Sequence, residues 1–199
     1  MQTEFKFRSW GGRRKGAGRR PTGRVSHQAR PEFRRITPVH VTMRVRSHVW
    51  NLRSGRSFRR IRRSLAAARG RFGFRVIEFS ILGNHLHLVV EADDDVAVSR
   101  GVQGLAIRIA RALDAMMGTA GKVFADHYHS RLLRSPTELV RVLAYVLGNA
   151  AHHFGLAGVD PFGSLALEAH ERARLLPRPL GWLLREGISR ARKVRPQPP

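Results

Sequence analysis

The sequence predicts an α+β fold of the split β-α-β-β-α-β (ferredoxin-like) type, an antiparallel sheet with helices on one face. The chain has 199 residues, of which 42% are hydrophobic. This length and composition allow one well-buried core and make two separate domains an unfavoured arrangement. β-rich runs alternate along it with runs of helical periodicity. A Gly-Asn pair separates the two central β-rich runs, which is typical of a tight hairpin.

The first strand and the first helix are predicted from residue type and spacing. The β-rich run PVHVTMRVR predicts a strand from about Val39 to Arg46. In SFRRIRRSLAAARG the apolar residues recur at helical spacing, which predicts a helix with Gly70 as its C-terminal cap. The outer face of this helix is rich in arginine, and no acidic residue lies between Ser47 and Ile77. We therefore expect this face to contact phosphates.

The remaining elements complete the predicted order. FRVIEFSIL and HLHLVVE flank Gly83-Asn84 and predict two antiparallel neighbouring strands. Helical spacing predicts a second helix from about Val98 to Met117, and KVFADHYHSRLL predicts another strand. PTELVRVLAYVLGNAAHHFG predicts a third helix, with Pro136 in its first turn and Gly155 after its end. This third helix is additional to the β-α-β-β-α-β unit.

The two ends of the chain differ in composition from its centre. From Arg8 to Arg35 the sequence is rich in Gly, Arg and Pro, with ten Lys or Arg residues and one acidic residue. Such a segment cannot bury a core, so residues 1–37 are predicted to form a flexible basic arm. Residues 38–156 are predicted to form the folded domain. Residues 157–199 are predicted to be a basic tail with helical fragments, to which we assign no chemistry.

The net charge of +23 favours a polyanionic partner, and nucleic acid before an anionic membrane. The apolar stretches are short and interrupted, and the N-terminus lacks the apolar region of a secretory signal, so a cytoplasmic protein is expected. Because the chain has no cysteine, any metal must bind to His, carboxylate, amide or water ligands. The arginines predicted to contact DNA lie on the arm and on the first helix: Arg13, Arg14, Arg19, Arg20, Arg59, Arg60, Arg62 and Arg63.

Two histidines begin the second strand of the hairpin. Successive side chains on a strand alternate faces, so His85 and His87 point the same way, with their Cα atoms about 6.5 to 7 Å apart. That spacing lets two imidazoles bind one cation. The alternative is that one histidine satisfies a hydrogen bond and the other is exposed. His40 is expected to line the same sheet surface, for packing or DNA contact.

The third predicted helix carries a possible nucleophile and a possible ligand. Tyr145 and Asn149 are four residues apart, so they project from one helix face. Tyrosine can attack phosphorus, and an amide oxygen can bind a hard cation. The alternative for each residue is structural, with the tyrosine packing and the asparagine capping the helix end. Combined with the charge and the histidine pair, these residues indicate a phosphoryl-transfer site.

These motifs resemble the single-tyrosine HUH transposases, and especially the REP-associated tyrosine transposase branch. The resemblance runs from about Pro38 to Gly155. It rests on PVHVTMRVR, on the His-hydrophobic-His strand in NHLHLVVE, on FADHYHSRLL, and on the Tyr-x-x-x-Asn helix in LAYVLGNAAHH.

The resemblance implies that His85, His87 and Asn149 hold Mg²⁺ or Mn²⁺ and that Tyr145 is the nucleophile. It implies attack on single-stranded DNA that leaves a 5′-phosphotyrosine and a free 3′-hydroxyl, a step that another 3′-hydroxyl can reverse without ATP. It also implies binding of single-stranded, hairpin-forming DNA. The protein would act as a monomer, or as a homodimer in which each tyrosine serves the partner's metal site.

Some alternatives stay open. Ala150 follows Asn149 where many family members have proline, so the helix is expected to continue there. Tyr128 is a second candidate nucleophile, and His152 and His153 are candidates for catalytic or DNA contacts. The alternative function is a non-catalytic nucleic-acid-binding protein on the same scaffold. Relaxases and replication initiators of similar chemistry usually have longer chains.

Overall fold

The computed structural model describes residues 31–155 and 157–187. Its strands are β1, Thr37–Arg44; β2, Phe74–Ile81; β3, His85–Ala92; and β4, His129–Leu132. Its helices are α1, Gly55–Ala67; α2, Asp95–Met117; α3, Pro136–Phe154; and α4, Ala169–Leu175. A 3₁₀ turn precedes α4 and a π-helical turn follows it: Ser164–Ala166 and Leu183–Gly187.

In the described part of the chain, four strands form one antiparallel sheet in the order β2-β3-β1-β4. β3 and β1 are central and pair so that Thr42 lies opposite His87. The β2–β3 hairpin is closed by the Leu82 amide, which donates to the His85 carbonyl at 2.9 Å and leaves Gly83-Asn84 as the loop. The predicted α+β fold, element order and hairpin are therefore confirmed.

One face of the sheet is apolar and is covered by α1 and α2. Leu86 and Leu88 of β3 are fully buried there, in one core with Ile61 of α1 and the inward face of α2. α2 approaches β2 closely at Gly101, where a Cβ atom would overlap the ring of Phe74. Glycine at this position is therefore required for the helix to lie on the sheet.

The other face carries polar side chains and is covered by α3. Val89 of β3 and Val146 of α3 belong to a second, smaller buried core that holds α3 against the sheet. Because side chains alternate along a strand, His85 and His87 share the face of Val89. The sheet therefore presents both histidines towards the helix that carries Tyr145.

The C-terminal segment, residues 160–187, packs against α1 and against the β2 edge of the sheet. The Asp160 carboxylate accepts two hydrogen bonds from the Arg53 guanidinium, at 2.9 and 2.8 Å. Arg172 of α4 forms an ion pair with Glu78 of β2, and Ser164 accepts from the backbone amide of Phe79 at 3.0 Å. The described part of the predicted tail is thus packed on the domain.

A buried carboxylate holds the last part of this segment. Glu91 of β3 has no exposed surface, and its two oxygens accept the backbone amides of Leu180 and Gly181 at 2.7 and 2.9 Å. A Cβ at position 181 would lie 2.7 Å from Glu91 Oε1 and 2.9 Å from Ile36 Cγ2, so only glycine allows this approach. Arg75 lies beside the same carboxylate, with its Nε 3.7 Å away.

Two strand predictions differ from the structure in their bounds. β1 begins at Thr37 and ends at Arg44, which is two residues earlier than predicted at each end. Of the predicted KVFADHYHSRLL strand, only His129–Leu132 forms a regular strand, and Phe124 forms an isolated antiparallel bridge with Val45. β4 is an edge strand that pairs with half of β1, and a bend at Ala125 and Asp126 separates it from the bridge at Phe124, so Tyr128 lies outside the paired residues.

The helix ends agree with prediction at α3 and differ at α1. α3 begins at Pro136, continues past Asn149 and is followed by Gly155 with a φ of 61°, as predicted. α1 ends at Ala67 with Ala68 as its cap, and Gly70, the predicted cap, lies in the following turn with a φ of 64°. Among the described helices, none has the length and apolarity needed to cross a bilayer.

Candidate active site

The two histidines of β3 lie side by side on the face beneath α3. The ring centroids of His85 and His87 are 4.8 Å apart. They share this face because β3 is a regular strand between two partners, and their positions differ by one strand repeat. The two imidazoles are therefore neighbours on one face, as the strand spacing predicts, and their binding of one cation stays a prediction.

One nitrogen of His87 is held by the neighbouring strand. His87 Nδ1 lies 3.2 Å from His40 Nε2 and 3.3 Å from Thr42 Oγ1. The rings of His40 and His87 are stacked, with centroids 5.4 Å apart and planes 14° from parallel. His87 Nε2 is buried and has no hydrogen-bond partner among the described residues.

The protein environment keeps these imidazoles neutral. Burial lowers the pKa of His87 to about 3, and the neighbouring histidines act in the same direction. Burial likewise lowers the pKa of His40 to about 4, with further contributions from His129 and Arg131. The pKa of His85 is also lowered, mainly by burial. A neutral imidazole has a lone pair, which is the form that binds metal ions.

His85 is oriented by the residue that precedes it. Its Nδ1 lies 2.7 Å from the side-chain oxygen of Asn84. Because an amide oxygen only accepts, His85 donates from Nδ1 and keeps the lone pair on Nε2. Metal-binding histidines are commonly oriented in this way by a partner on the other nitrogen.

Tyr145 lies on α3 above the histidines. Its side chain is 49% exposed, and its ring centroid is 5.5 Å from that of His87 and 6.1 Å from that of His40. Val146, the next residue, is fully buried against the sheet and fixes the helix there. The structure therefore brings the predicted nucleophile to the predicted ligand, with its hydroxyl group on a solvent-accessible side chain.

Asn149 lies one helical turn beyond Tyr145 and is almost fully buried, with 1% of its surface exposed. Neither its amide nitrogen nor its amide oxygen has a hydrogen-bond partner within the described residues. A buried amide without partners costs about 1–3 kcal/mol of stability. The position of Asn149 suits a metal ligand better than a helix cap, because a cap lies at the end of a helix and α3 continues to Phe154.

The donor atoms fit a divalent cation. The unpartnered atoms are a neutral imidazole nitrogen of His87 and the amide of Asn149, and His85 offers a second imidazole nitrogen. In the described ranges, no group of three or more His, Cys, Asp or Glu side chains is arranged to hold a metal. A site here would therefore depend on the amide as its third protein ligand.

The arginines predicted to contact DNA are placed apart from this site. Arg59, Arg60 and Arg63 are exposed on α1, which covers the opposite face of the sheet. Arg62 is partly buried and forms an ion pair with Glu171 at 2.7 Å. The arm arginines lie outside the described residues: Arg13, Arg14, Arg19 and Arg20.

The structure also locates two of the other candidates, whereas the side chain of His152 lies outside the described part of the chain. His153 lies at the end of α3, with its ring centroid 6.4 Å from that of His85. Tyr128 is partly buried and packs against the larger core on the other face of the sheet. Thr42 and Asn84, which orient the two histidines, were not predicted. The alternation that places His40 on this face also places Thr42 there, whereas no pattern distinguishes Asn84 from a turn residue.

Comparison with known proteins identifies the class of this one. The family model described as Transposase IS200 like matches residues 37–147, more than half of the chain. The chain therefore belongs to the IS200-like transposase family, whose members process DNA. This confirms the family predicted from the sequence motifs. No curated protein matches the chain in sequence.

Two solved structures resemble the fold. One is a REP-associated tyrosine transposase bound to a REP hairpin, with a TM-score of 0.58 and 16% identity over 79% of this chain and 92% of that one. The other is a candidate transposase from Deinococcus radiodurans R1, with a TM-score of 0.43 and 12% identity over 61% of this chain and 95% of that one. The first similarity supports the fold assignment.

Proposed function

We propose that this protein is a single-tyrosine HUH DNA transposase that binds single-stranded DNA hairpins and cleaves and rejoins DNA through a 5′-phosphotyrosine on Tyr145. Membership of the IS200-like family supports the DNA-processing role. The observation that carries the chemistry is an exposed phenol beside the imidazole of His87, whose buried Nε2 has no partner in the part of the chain that the structure describes.

His85, His87 and Asn149 would hold a divalent cation, Mg²⁺ or Mn²⁺. Two neutral imidazoles and an amide suit several divalent ions. When bound, such an ion supplies charge stabilisation to a phosphate in the transition state. His40 and Thr42 hold the His87 ring by its other nitrogen, so its orientation is set before substrate arrives.

Tyr145 would perform the transfer. Its Oη attacks the scissile phosphorus, so that a tyrosine O–P bond forms and the P–O3′ bond breaks. The phenol loses its proton, and the departing strand gains one as a free 3′-hydroxyl. Arg44 and Arg131, whose charges reach the histidines of the site, favour the approach of a phosphate backbone.

Rejoining is the reverse of the same step. The 3′-hydroxyl of a second strand attacks phosphorus, a phosphodiester forms, and Tyr145 leaves with a proton. One P–O bond is exchanged for another in each direction, so no ATP is required.

The proposed partner is single-stranded DNA that folds into hairpins. The net charge of +23 favours DNA, and the solved transposase with a similar fold is bound to a REP hairpin. Action on bacterial DNA would place the protein in the cytoplasm with the nucleoid. Tyr145 lies beside His87 of its own chain, which supports a site completed within one monomer, and a homodimer stays an alternative.

A covalent-adduct experiment tests this function. Hairpin DNA with a single-stranded flank, labelled at its 3′ end, is incubated with the full chain and Mn²⁺ and analysed on a denaturing gel. Label should migrate with the protein, whereas 5′-labelled DNA should give a shortened free strand. Tyr145→Phe should abolish the adduct and leave hairpin binding within about twofold, because only the attacking oxygen is lost.

Tyr128→Phe is the matched control and should form the adduct normally. An adduct that persists in Tyr145→Phe and disappears in Tyr128→Phe would mean that the wrong tyrosine was assigned. Hairpin binding with no adduct under either Mg²⁺ or Mn²⁺ would instead support a non-catalytic nucleic-acid-binding protein.

A further inference from the structure

A basic cleft lies between α1 and α4, apart from the tyrosine site. Its volume is about 290 Å³. Apolar residues Ala66 and Leu175 form part of its lining. The polar side chains of the cleft come from both helices: Arg59, Arg62 and Arg63 from α1, and His170, Glu171 and Arg174 from α4.

The charges in the cleft are unbalanced. Four guanidinium groups face a single carboxylate, Glu171. In the described part of the chain, no ion pair includes Arg59, Arg63 or Arg174, and all three are exposed. The cleft is therefore suited to an anionic partner that brings more than one charge.

Glu171 is the one carboxylate in the lining of this cleft, and its contact with Arg62 indicates how an anionic partner would bind there. Its Oε1 accepts a hydrogen bond from Arg62 Nη2 at 2.7 Å, and the Arg62 guanidinium lowers the pKa of Glu171, so the carboxylate is ionised at neutral pH. The same guanidinium lies 5.8 Å from the centre of the Phe58 ring, which restricts its position. Arg62 therefore lines the cleft with Nη2 already donating to an oxyanion, the Glu171 carboxylate.

The lining also distinguishes between forms of DNA. Among the described residues that line the cleft, none is Phe, Tyr or Trp, and the single imidazole is that of His170. Proteins that bind unpaired DNA generally stack bases on aromatic rings, whereas contacts with a duplex backbone need only cationic and polar donors. The chemistry of the cleft thus favours the phosphates of paired DNA.

We propose that the α1–α4 cleft binds the phosphate backbone of the double-stranded stem of a DNA hairpin, and that Glu171 occupies the position on Arg62 that a stem phosphate takes. This inference rests on the proposed function for the identity of the hairpin and is independent of the tyrosine chemistry. It gives α4, which lies in the segment predicted to carry no chemistry, a direct role in DNA binding.

The first test removes two unpaired charges, one from each helix. Arg63→Gln with Arg174→Gln should weaken binding of a labelled hairpin to the full chain by about tenfold and lower the slope of log affinity against log salt by about two, as measured by fluorescence anisotropy. The control, Arg100→Gln with Arg111→Gln, removes two exposed charges of α2 that do not line the cleft. It should change affinity by less than twofold.

The second test removes the competing carboxylate. Glu171→Gln should tighten hairpin binding by roughly fivefold, because Arg62 becomes available to a phosphate. Glu32→Gln makes the same change in net charge at an exposed residue that does not line the cleft. Equal tightening in both variants would show a general charge effect and would overturn the role of Glu171.

The remaining outcomes separate this inference from the proposed function. The stem site would be overturned if Arg63→Gln/Arg174→Gln and the α2 control lost hairpin affinity equally. It would also be overturned if Arg63→Gln/Arg174→Gln lost as much affinity for an unpaired strand of the same length as for the hairpin. The Tyr145 adduct with a short unpaired strand should be unchanged in the cleft variant. Failure of the unmodified protein to form any adduct would overturn the proposed function while leaving the binding comparison intact.

Discussion

Two buried polar side chains on the same face of β3, His87 and Glu91, differ in how their atoms are satisfied. Glu91 has two backbone amides on its oxygens and Arg75 beside it. His87 is held at Nδ1, but its Nε2 has no partner among the described residues, and the amide of Asn149 is in the same state. Both ends of one strand face therefore bury polar groups, and the acceptor atoms differ: both Glu91 oxygens receive hydrogen bonds and His87 Nε2 receives none, although the buried Nε of Arg75 beside Glu91 also has no hydrogen-bond partner among the described residues.

This difference distinguishes a buried polar group that stabilises the fold from a buried polar group that is available to bind a ligand. A buried polar group costs about 1–3 kcal/mol when it is unpaired, so a fold normally supplies partners, as the C-terminal segment does for Glu91. An unpaired imidazole nitrogen beside an exposed phenol, together with an unpaired amide one helical turn beyond that phenol, indicates a ligand that the protein itself does not supply. The contrast predicts that changes at Glu91 affect stability, whereas changes at His87 and Asn149 affect activity.

The largest effect is expected at His87. His87→Ala should reduce strand cleavage roughly 10³-fold, because charge stabilisation by a bound cation contributes several kcal/mol to the transition state. Quantifying the covalent adduct over time measures this loss, and the thermal midpoint should fall less than in Glu91→Ala, although the truncation removes the contacts of His87 with His40 and Thr42. His48→Ala removes an exposed histidine and should cleave normally. Loss of folding in His87→Ala would contradict the distinction between the two ends of β3.

The next largest effect is expected at Glu91. Glu91→Ala should lower the free energy of unfolding by about 3 kcal/mol or more, because two backbone amides and Arg75 lose a buried partner. Urea denaturation measures the change, and cleavage should persist below the new transition. Glu168→Ala, at an acidic residue with 77% of its side chain exposed, should stay within about 0.5 kcal/mol. A small loss in Glu91→Ala would show that the C-terminal segment does not depend on this carboxylate.

An intermediate effect is expected at Thr42, which holds the imidazole of His87. Thr42→Val keeps the shape and removes the oxygen beside His87 Nδ1, so it should weaken Mn²⁺ affinity by about tenfold. Titration calorimetry measures the affinity. Thr37→Val is a control on the same strand, where the hydroxyl group bonds to a backbone carbonyl outside the site. If Thr42→Val bound Mn²⁺ with unchanged affinity, Thr42 would not orient His87, and His40 alone would hold its Nδ1.

The smallest effect on stability is expected at Asn149. Asn149→Leu should leave the metal-free protein equally stable or up to about 1 kcal/mol more stable, since it removes an unpaired buried amide. It should also abolish the rise in thermal midpoint that Mn²⁺ produces. Asn51→Leu is the opposite case, because Asn51 Oδ1 accepts from the Arg53 amide at 2.9 Å, and this variant should be less stable. A clear loss of stability in Asn149→Leu would indicate a structural role instead.

The sequence predicted the sheet, the hairpin and the face that carries the site. Alternation along β3 placed His85 and His87 together, and helical spacing placed Tyr145 and Asn149 on one side of α3. The predicted strand length was wrong in one segment, because strand-forming residue types do not by themselves show whether the chain stays paired with its neighbour. KVFADHYHSRLL is rich in strand-forming residues, yet it forms only the short strand His129–Leu132 and a bridge from Phe124 to Val45, because a bend at Ala125 and Asp126 interrupts the pairing.

The sequence by itself thus determined the family, the order of elements and the chemistry-bearing residues, since these depend on residue types and spacings within single elements. Only the tertiary structure decided which atoms of those residues are held and which are left unpaired. Glu91 meets Gly181 across 90 positions of the chain, and Thr42 meets His87 across 45. Such contacts depend on strand register and on the docking of distant segments, which local periodicity does not encode.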